Sequence, residues 1–235
     1  MGKQRMKGMD EILNKIGNRM QELDSIREKS LSLSRDIILS CRKCIQSIHN
    51  RDFESARKSL NSANRKLRSL YKLIENHSEL QNAGYVENAA QEYVEAKCVY
   101  NLERNKPLPD PDDMKISYVT FLLGLCDTIG ELRRFSLDAM KDGDVGKANR
   151  YLDMMEKIYA SIMNFDYPPA LKRKQDIARS LIEKTKSELA VASCEKRIKD
   201  KIEEFRGFLD EVERERNRRK KKLKKDIDLD IDKVW

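Results

Sequence analysis

Asp127 and Glu131 interrupt a stretch, Ile116 to Leu132, that is otherwise almost wholly apolar or small. A carboxylate placed there needs a counter-charge or must give up its ionisation. Upstream, in Gln91-Glu92-Tyr93-Val94-Glu95-Ala96, two further acids stand three residues apart and so project from one side of a helix. If the two acidic stripes face each other, their mutual repulsion raises some of their pKa values unless a cation is present. Mg²⁺ or Mn²⁺ suits such a set, since both take oxygen ligands. The waters they retain leave room for a phosphate oxygen and an attacking hydroxyl. The same spacing also fits a structural arrangement, with the glutamates facing solvent or basic neighbours and Asp127 neutralised by Arg133, Arg134 or Arg179. Helical spacing leaves both arrangements open.

Other chemistries find little support. The two histidines, His49 and His77, lie in no recognisable nucleophile setting, and no glycine-rich phosphate loop is present. Cys41 and Cys44 form a C-x-x-C pair without a second pair at zinc-finger spacing, and five cysteines in a helix-rich chain read as reduced, buried thiols. Metal-assisted hydrolysis is what remains. Lys172-Arg173-Lys174, Arg133, Arg134 and Arg150 are the groups available to hold a polyanion, although such clusters are commonly just solvated.

Helices must position these groups. Proline (5) and glycine (9) are scarce and 37% of residues are charged, a composition for long helices in an all-α fold. Met1 to Ser30 reads as a polar helical arm. Ile37, Cys41, Cys44 and Ile48 then mark a helix ending near Asp52. Phe53, Ala56, Leu60, Ala63, Leu67, Leu70 and Ile74 mark its antiparallel partner, with Asp52 as N-cap. A third helix, Glu79 to Leu102, carries Glu92 and Glu95, and it ends in a segment whose three prolines forbid regular structure. The fourth, Met114 to Met140, carries Asp127 and Glu131. Its Gly124 and Gly130, each costing about 1 kcal/mol against alanine in a helix, suggest a close helix approach or a ligand. A fifth spans Val145 to Met163. The last begins near Ala170 and continues past Glu211, with Ile177, Leu181, Lys184, Glu188 and Ala192 on one line, then Leu189, Cys194, Ile198, Ile202, Phe205 and Leu209 beyond.

The net charge of +8 favours an anionic partner, but the nearly unbroken run Arg214 to Lys225 supplies much of it and reads as a solvated tail or an extending partner helix. With no apolar run of membrane-spanning length, no membrane partner is expected and a cytoplasmic location is. The expected organisation is an N-terminal arm (1–30), a helical domain (31–213) and a basic, then acidic, C-terminal tail (214–235).

The ordered set Gln91-Glu92-Tyr93-Val94-Glu95-Ala96, Leu123-Gly124-Leu125-Cys126-Asp127-Thr128-Ile129-Gly130-Glu131-Leu132-Arg133-Arg134, Gly143-Asp144, Asp166-Tyr167-Pro168 and Lys172 to Arg179 resembles the translin family. The segments Ser34 to Ile38 and Ile48 to Phe53 are similar to its first helices, so the resemblance spans about Leu31 to Ala192. It implies a translin-like bundle of long antiparallel helices, closed hollow oligomers of octamer-like form, and binding of RNA or single-stranded DNA. Within the family, translin-associated factor X carries the acids of a divalent-metal endoribonuclease, and the E-Y-V-E and G-L-x-D-x-x-G-E segments look like its pattern. The resemblance therefore gives Glu92, Glu95 and Asp127 a catalytic, metal-holding role, with Glu131 as a weaker ligand or support. Its short N-terminus relative to factor X suggests an archaeal-type homologue that self-assembles or works with a translin subunit. The Asp-Ile-Asp-Leu-Asp-Ile-Asp ending has no counterpart in the family pattern.

The expected function is a Mg²⁺- or Mn²⁺-dependent endoribonuclease, with Lys172, Arg173, Lys174, Arg133 and Arg134 positioning the nucleic-acid backbone. The alternatives are a translin-like binding oligomer without hydrolysis and a purely structural helical scaffold.

Overall fold

Two apolar stripes facing each other set the first layer. Ile37, Cys41, Cys44 and Ile48 on α1 (Gly2–His49) meet Leu60, Ala63, Leu67 and Leu70 on α2 (Phe53–Ile74), and all eight are buried. The connecting turn holds Arg51 at φ 61°, and Asp52 then caps α2 by accepting from the Ser55 backbone N–H at 3.0 Å. The computed structural model describes the backbone of residues 2–231 and the side chains of residues 8–221. No strand occurs among the described residues, and none of their helices is long and apolar enough to cross a membrane.

The remaining elements are α3 (Ser78–Gln81), α4 (Gly84–Glu103), α5 (Pro111–Met114), α6 (Tyr118–Lys141), α7 (Val145–Ile162) and α8 (Pro169–Ile231). Helix α1 packs on α2 and α4, α4 on α6, and α6 on both α7 and α8, giving the bundle of long helices that the resemblance implies. Helices α4 and α6 run through its middle. Ser117 and Asp144 cap α6 and α7 through the backbone N–H groups of Thr120 and Lys147.

Several expected boundaries move, each for a local reason. The arm expected to end at Ser30 has no break there, because nothing between Gly17 and His49 is glycine or proline and α1 runs on as one 48-residue helix. The third helix starts at Gly84 instead of Glu79. Gln81 turns back to donate to the carbonyls of Ile74 and Glu75 at 3.3 and 2.6 Å, closing α2 with the single turn α3. The proline segment is not wholly irregular either. Pro111 occupies the first position of α5, where its missing N–H is no loss, and Asp110 caps that turn. Lys115, at φ 56°, then ends α5, and the fourth long helix begins at Tyr118 instead of Met114.

The last helix departs most. Its buried line is Leu171, Gln175, Ala178, Ile182, Thr185 and Leu189, so the expected line through Ile177 and Lys184 is one residue out of phase and Ile177 faces solvent. The basic segment from Arg214 is helical as far as Ile231, the helical C-terminal extension expected of it. Residues 232–235 lie outside the described residues.

Candidate metal centre

The site begins with a glycine. A Cβ on Gly124 would stand 2.7 Å from Val94 Cβ, closer than real contacts allow, and a tight 3.0 Å from the Gln91 carbonyl oxygen. Without one, α6 comes directly against α4 at the level of the E-Y-V-E segment. Asp127, most of a turn further on, meets Gln91, whose amide donates to its Oδ2 at 2.5 Å. Gly130 has no such role, since a Cβ there would find only Leu181 Cδ1 at 4.0 Å.

All four expected acids belong to this α4–α6 seam. Glu92, Glu95, Asp127 and Glu131 are near enough to perturb one another electrostatically, and Glu95 feels the other three. Glu92, Glu95 and Glu131 line a cleft of about 530 Å³ together with Arg42, His49 and Arg134.

Their states of neutralisation differ. Asp127 is held by the Lys174 ammonium at 2.5 and 2.6 Å in addition to Gln91. Glu131 accepts from Arg134 at 2.8 and 3.1 Å and lies 3.3 Å from His49 Nε2. Burial pushes the Glu131 carboxyl up, but these partners outweigh it and hold the group below the usual carboxylate range. Glu92 and Glu95 have no hydrogen-bond or ion-pair partner among the described residues. Burial raises Glu92, partly offset by Arg42. Burial, followed by Asp127, Glu131 and Glu92, pushes Glu95 up to about 8.

Such a set has the chemistry of a hard-cation site. Every candidate donor is an oxygen, and two half-buried, mutually repelling carboxyls lack the close counter-charge that a divalent ion supplies. The side chains are not gathered around one point, however. Among the described residues no group of three His, Cys, Asp or Glu side chains stands in a coordinating array. The Lys174 ammonium, seated on both oxygens of Asp127, supplies positive charge where a shared cation would.

Two expectations about partners change. The Asp127 counter-ion is Lys174, not Arg133, Arg134 or Arg179. Arg133 lies roughly 240° around the helix from Asp127 at about 100° per residue, and there it clamps α8 through Glu188 at 2.7 and 2.9 Å and Thr185 at 2.8 Å. Arg134 is on the correct face but is taken by Glu131. Of the expected phosphate-holding cations, Lys172 and Arg173 remain on the surface, with Lys172 only loosely tied to Asp166 at 3.4 Å. Lys174 points inward and Arg133 packs, whereas Arg134 is paired yet 61% exposed at the cleft.

His49 was not legible as a site residue. It stacks on Phe135 with ring centroids 4.0 Å apart and sets its two ring nitrogens 3.3 Å from Glu131 and 3.2 Å from Asp138. Its position just past buried Ile48 placed it at the core edge. The partners, 82 and 89 residues away, leave no mark in a single sequence. Gln91, adjacent to the first acid, was visible in the motif but its role was not.

The comparisons fit this architecture. Over 186 residues the chain is 38% identical to an uncharacterized protein of Methanocaldococcus jannaschii, covering 77% of this chain and 82% of that protein. It is 22% identical over 187 residues to the translin-associated protein X homolog of Schizosaccharomyces pombe, covering 74% and 80%. Among solved structures it is similar to the AfC3PO–duplex RNA complex (TM-score 0.68, 31% identity, 77% of this chain and 96% of that one). Apo-NeC3PO has the same fold (TM-score 0.71, 19% identity, coverage 77% and 96%). The sequence profile of the translin family matches residues 25–191, more than half of the chain and inclusive of all four acids, and the chain belongs to that family.

Proposed function

We propose that this protein is a divalent-metal-dependent endoribonuclease of the translin and factor X type. Glu92, Glu95 and Asp127 would hold Mg²⁺ or Mn²⁺, with Glu131 as a further oxygen donor or as support. The observation that carries this reading is Glu95, a largely buried carboxyl without a partner, pushed up to about 8 by burial and three neighbouring acids. Structural acids acquire counter-ions, as Asp127 and Glu131 have, and a buried one left without any is costly to the fold. When bound, the metal supplies an activated water and neutralises charge developing on the phosphate.

The chain's own groups complete the site. Gln91 fixes the rotamer of Asp127 from one side while Lys174 balances its charge from the other. His49 and Arg134 hold Glu131 ionised and aimed at the cleft. Arg42 and Arg134 on the cleft wall offer guanidinium groups to a phosphodiester, and Lys172 and Arg173 lie on the surface for backbone contact with little sequence preference. RNA as the ligand is supported by the similarity to the AfC3PO–duplex RNA complex. Single-stranded DNA is a second candidate, and a homo-oligomer, with or without a translin subunit, is the expected assembly. We place it in the cytoplasm.

Pure wild-type protein should cut end-labelled RNA only when Mg²⁺ or Mn²⁺ is added. Glu95→Gln and Asp127→Asn should lower that rate by about 100-fold or more, while RNA binding persists. Full cleavage by either variant would refute the assignment. The Lys174–Asp127 pair favours a second reading, a binding oligomer in which ammonium permanently occupies the metal's place. Retained RNA binding by the wild type with no cleavage in Mn²⁺ would establish it.

A further inference from the structure

Beyond Leu189, α8 leaves the body of the protein. Leu189 is the last buried residue among those described, every side chain from Cys194 to Lys221 is exposed, and the family match ends at residue 191. At 1.5 Å per residue this free helix is about 42 Å long. It is nonetheless strongly apolar along one side, with Ile198 (60% exposed), Ile202 (49%), Phe205 (61%), Leu209 (49%) and Val212 (48%) uncovered. Their spacing of four, three, four and three is an unbroken run of heptad core positions, and a solvated helix gains nothing from such a seam.

Charge decides what covers it. With Ile202 and Leu209 at heptad position a, the flanking positions hold Lys199, Lys201, Arg206, Phe208, Glu213 and Glu215. A parallel pair of identical helices would set Lys201 against Arg206, a like-charge contact. An antiparallel pair centred on Gly207 sets Lys199 against Glu213 and Lys201 against Glu215, twice over by symmetry. In the seam it sets Ile202 opposite Val212, Phe205 opposite Leu209, and Glu195 opposite Arg219. Phe208 then meets its own copy across the axis, and Gly207 faces outward. The antiparallel register also brings Arg206 beside its own copy and Ile198 opposite Arg216, but its four Lys–Glu contacts outnumber the single like-charge contact. The parallel pair instead repeats the Lys201–Arg206 repulsion twice, so the balance of charge favours the antiparallel direction.

We propose that residues 195–219 form an antiparallel coiled coil with the same segment of a second copy of this chain, an association surface separate from the helical body. It is independent of the nuclease reading and needs no metal or RNA. Its occupant is another α8, the segment whose lysines and glutamates complement its own in this register.

The test is disulfide trapping in the full-length protein with the exposed Cys194 replaced by Ser. Arg206→Cys, placed beside the two-fold axis, should form chain-to-chain disulfide dimers on mild oxidation, and Ile198→Cys, about 27 Å from its own copy in this register, should not. Adding Phe205→Asp to Arg206→Cys should cut the trapped fraction by about tenfold or more, because a charge would enter the seam. Circular dichroism of that variant must still show the helical body. Trapping through Ile198→Cys but not Arg206→Cys would mean a parallel pair and overturn the proposal. Absence of trapping at both, or trapping that Phe205→Asp leaves unchanged, would overturn it as well.

Discussion

On the proposed reading the site carries a cost when the cation is absent, and that cost falls on Glu95. In the unfolded chain its carboxyl ionises in the ordinary range, whereas in the folded protein it is held up to about 8. Below the ordinary range both states are protonated and the residue is neutral with respect to folding. As pH rises towards 8 the unfolded state releases its proton first, so the metal-free native state loses stability throughout that window. Glu95→Gln removes the linkage. The variant should match the wild type near pH 4.5 and exceed it at pH 8 by roughly 2–4 kcal/mol, at about 1.4 kcal/mol per pKa unit. Urea melts at the two pH values in a chelator measure the difference, and saturating Mn²⁺ should shrink it by stabilising the wild type alone. At this scale the sequence was informative about which acids share the α4–α6 seam and silent about what neutralises them. Glu92, Glu95, Asp127 and Glu131 were visible because acids within apolar stripes are costly and therefore conspicuous. Lys174 and His49 were not, because a lysine in a basic triplet and a histidine at a helix end look the same whether they face solvent or a carboxylate.

Helices read well in their periodicity and poorly at their ends. The α1–α2 hairpin was legible because the steps of three and four in both helices, and Asp52 between them, all agreed. The phase of α8 was misread because Ile177 is apolar yet exposed while Gln175 and Thr185 are polar yet buried: Gln175 donates to the carbonyls of Ile162 and Phe165 at 2.7 and 2.8 Å, and Thr185 accepts from Arg133. Polar residues that satisfy backbone or ionic partners can occupy a buried line, which a hydrophobic count misses. The two α6 glycines separate a close-approach role from a neutral one. Gly124→Ala gains about 1 kcal/mol of helix propensity but drives a methyl into Val94 and the Gln91 carbonyl, so a net loss of about 1–2 kcal/mol is expected. It should also lower metal-dependent cleavage by moving Asp127 off Gln91. Gly130→Ala, with its nearest neighbour at 4.0 Å, should gain up to about 1 kcal/mol and leave cleavage unchanged. Urea unfolding of both variants, followed by a cleavage assay, checks the pair.

For the molecule as a whole, charge is divided unevenly along the chain. Arg214 to Lys225 contains nine cations against Glu215, which equals the net +8 of the entire chain and leaves the rest balanced. A body (residues 1–213) with a net charge of only +3 and three glutamates in its cleft attracts RNA weakly from a distance, whereas the cationic stretch of a projecting helix attracts it strongly. Capture by the α8 end and chemistry at the α4–α6 seam should therefore be separable. Arg218→Gln combined with Lys221→Gln, both outside the proposed coiled-coil seam, removes two of these charges without touching the acids. The double variant should bind RNA more weakly at low salt, and the slope of log affinity against log salt should fall by about 1–1.5, near the value for two lost phosphate contacts. Its cleavage rate at saturating RNA should equal that of the wild type, since the groups around Glu95 and Asp127 are unchanged. Fluorescence anisotropy across a salt series, paired with single-turnover cleavage, reads both quantities. An unaltered slope would instead assign capture to Lys172 and Arg173 on the surface of the body, and the same series on their glutamine variants would show the loss there.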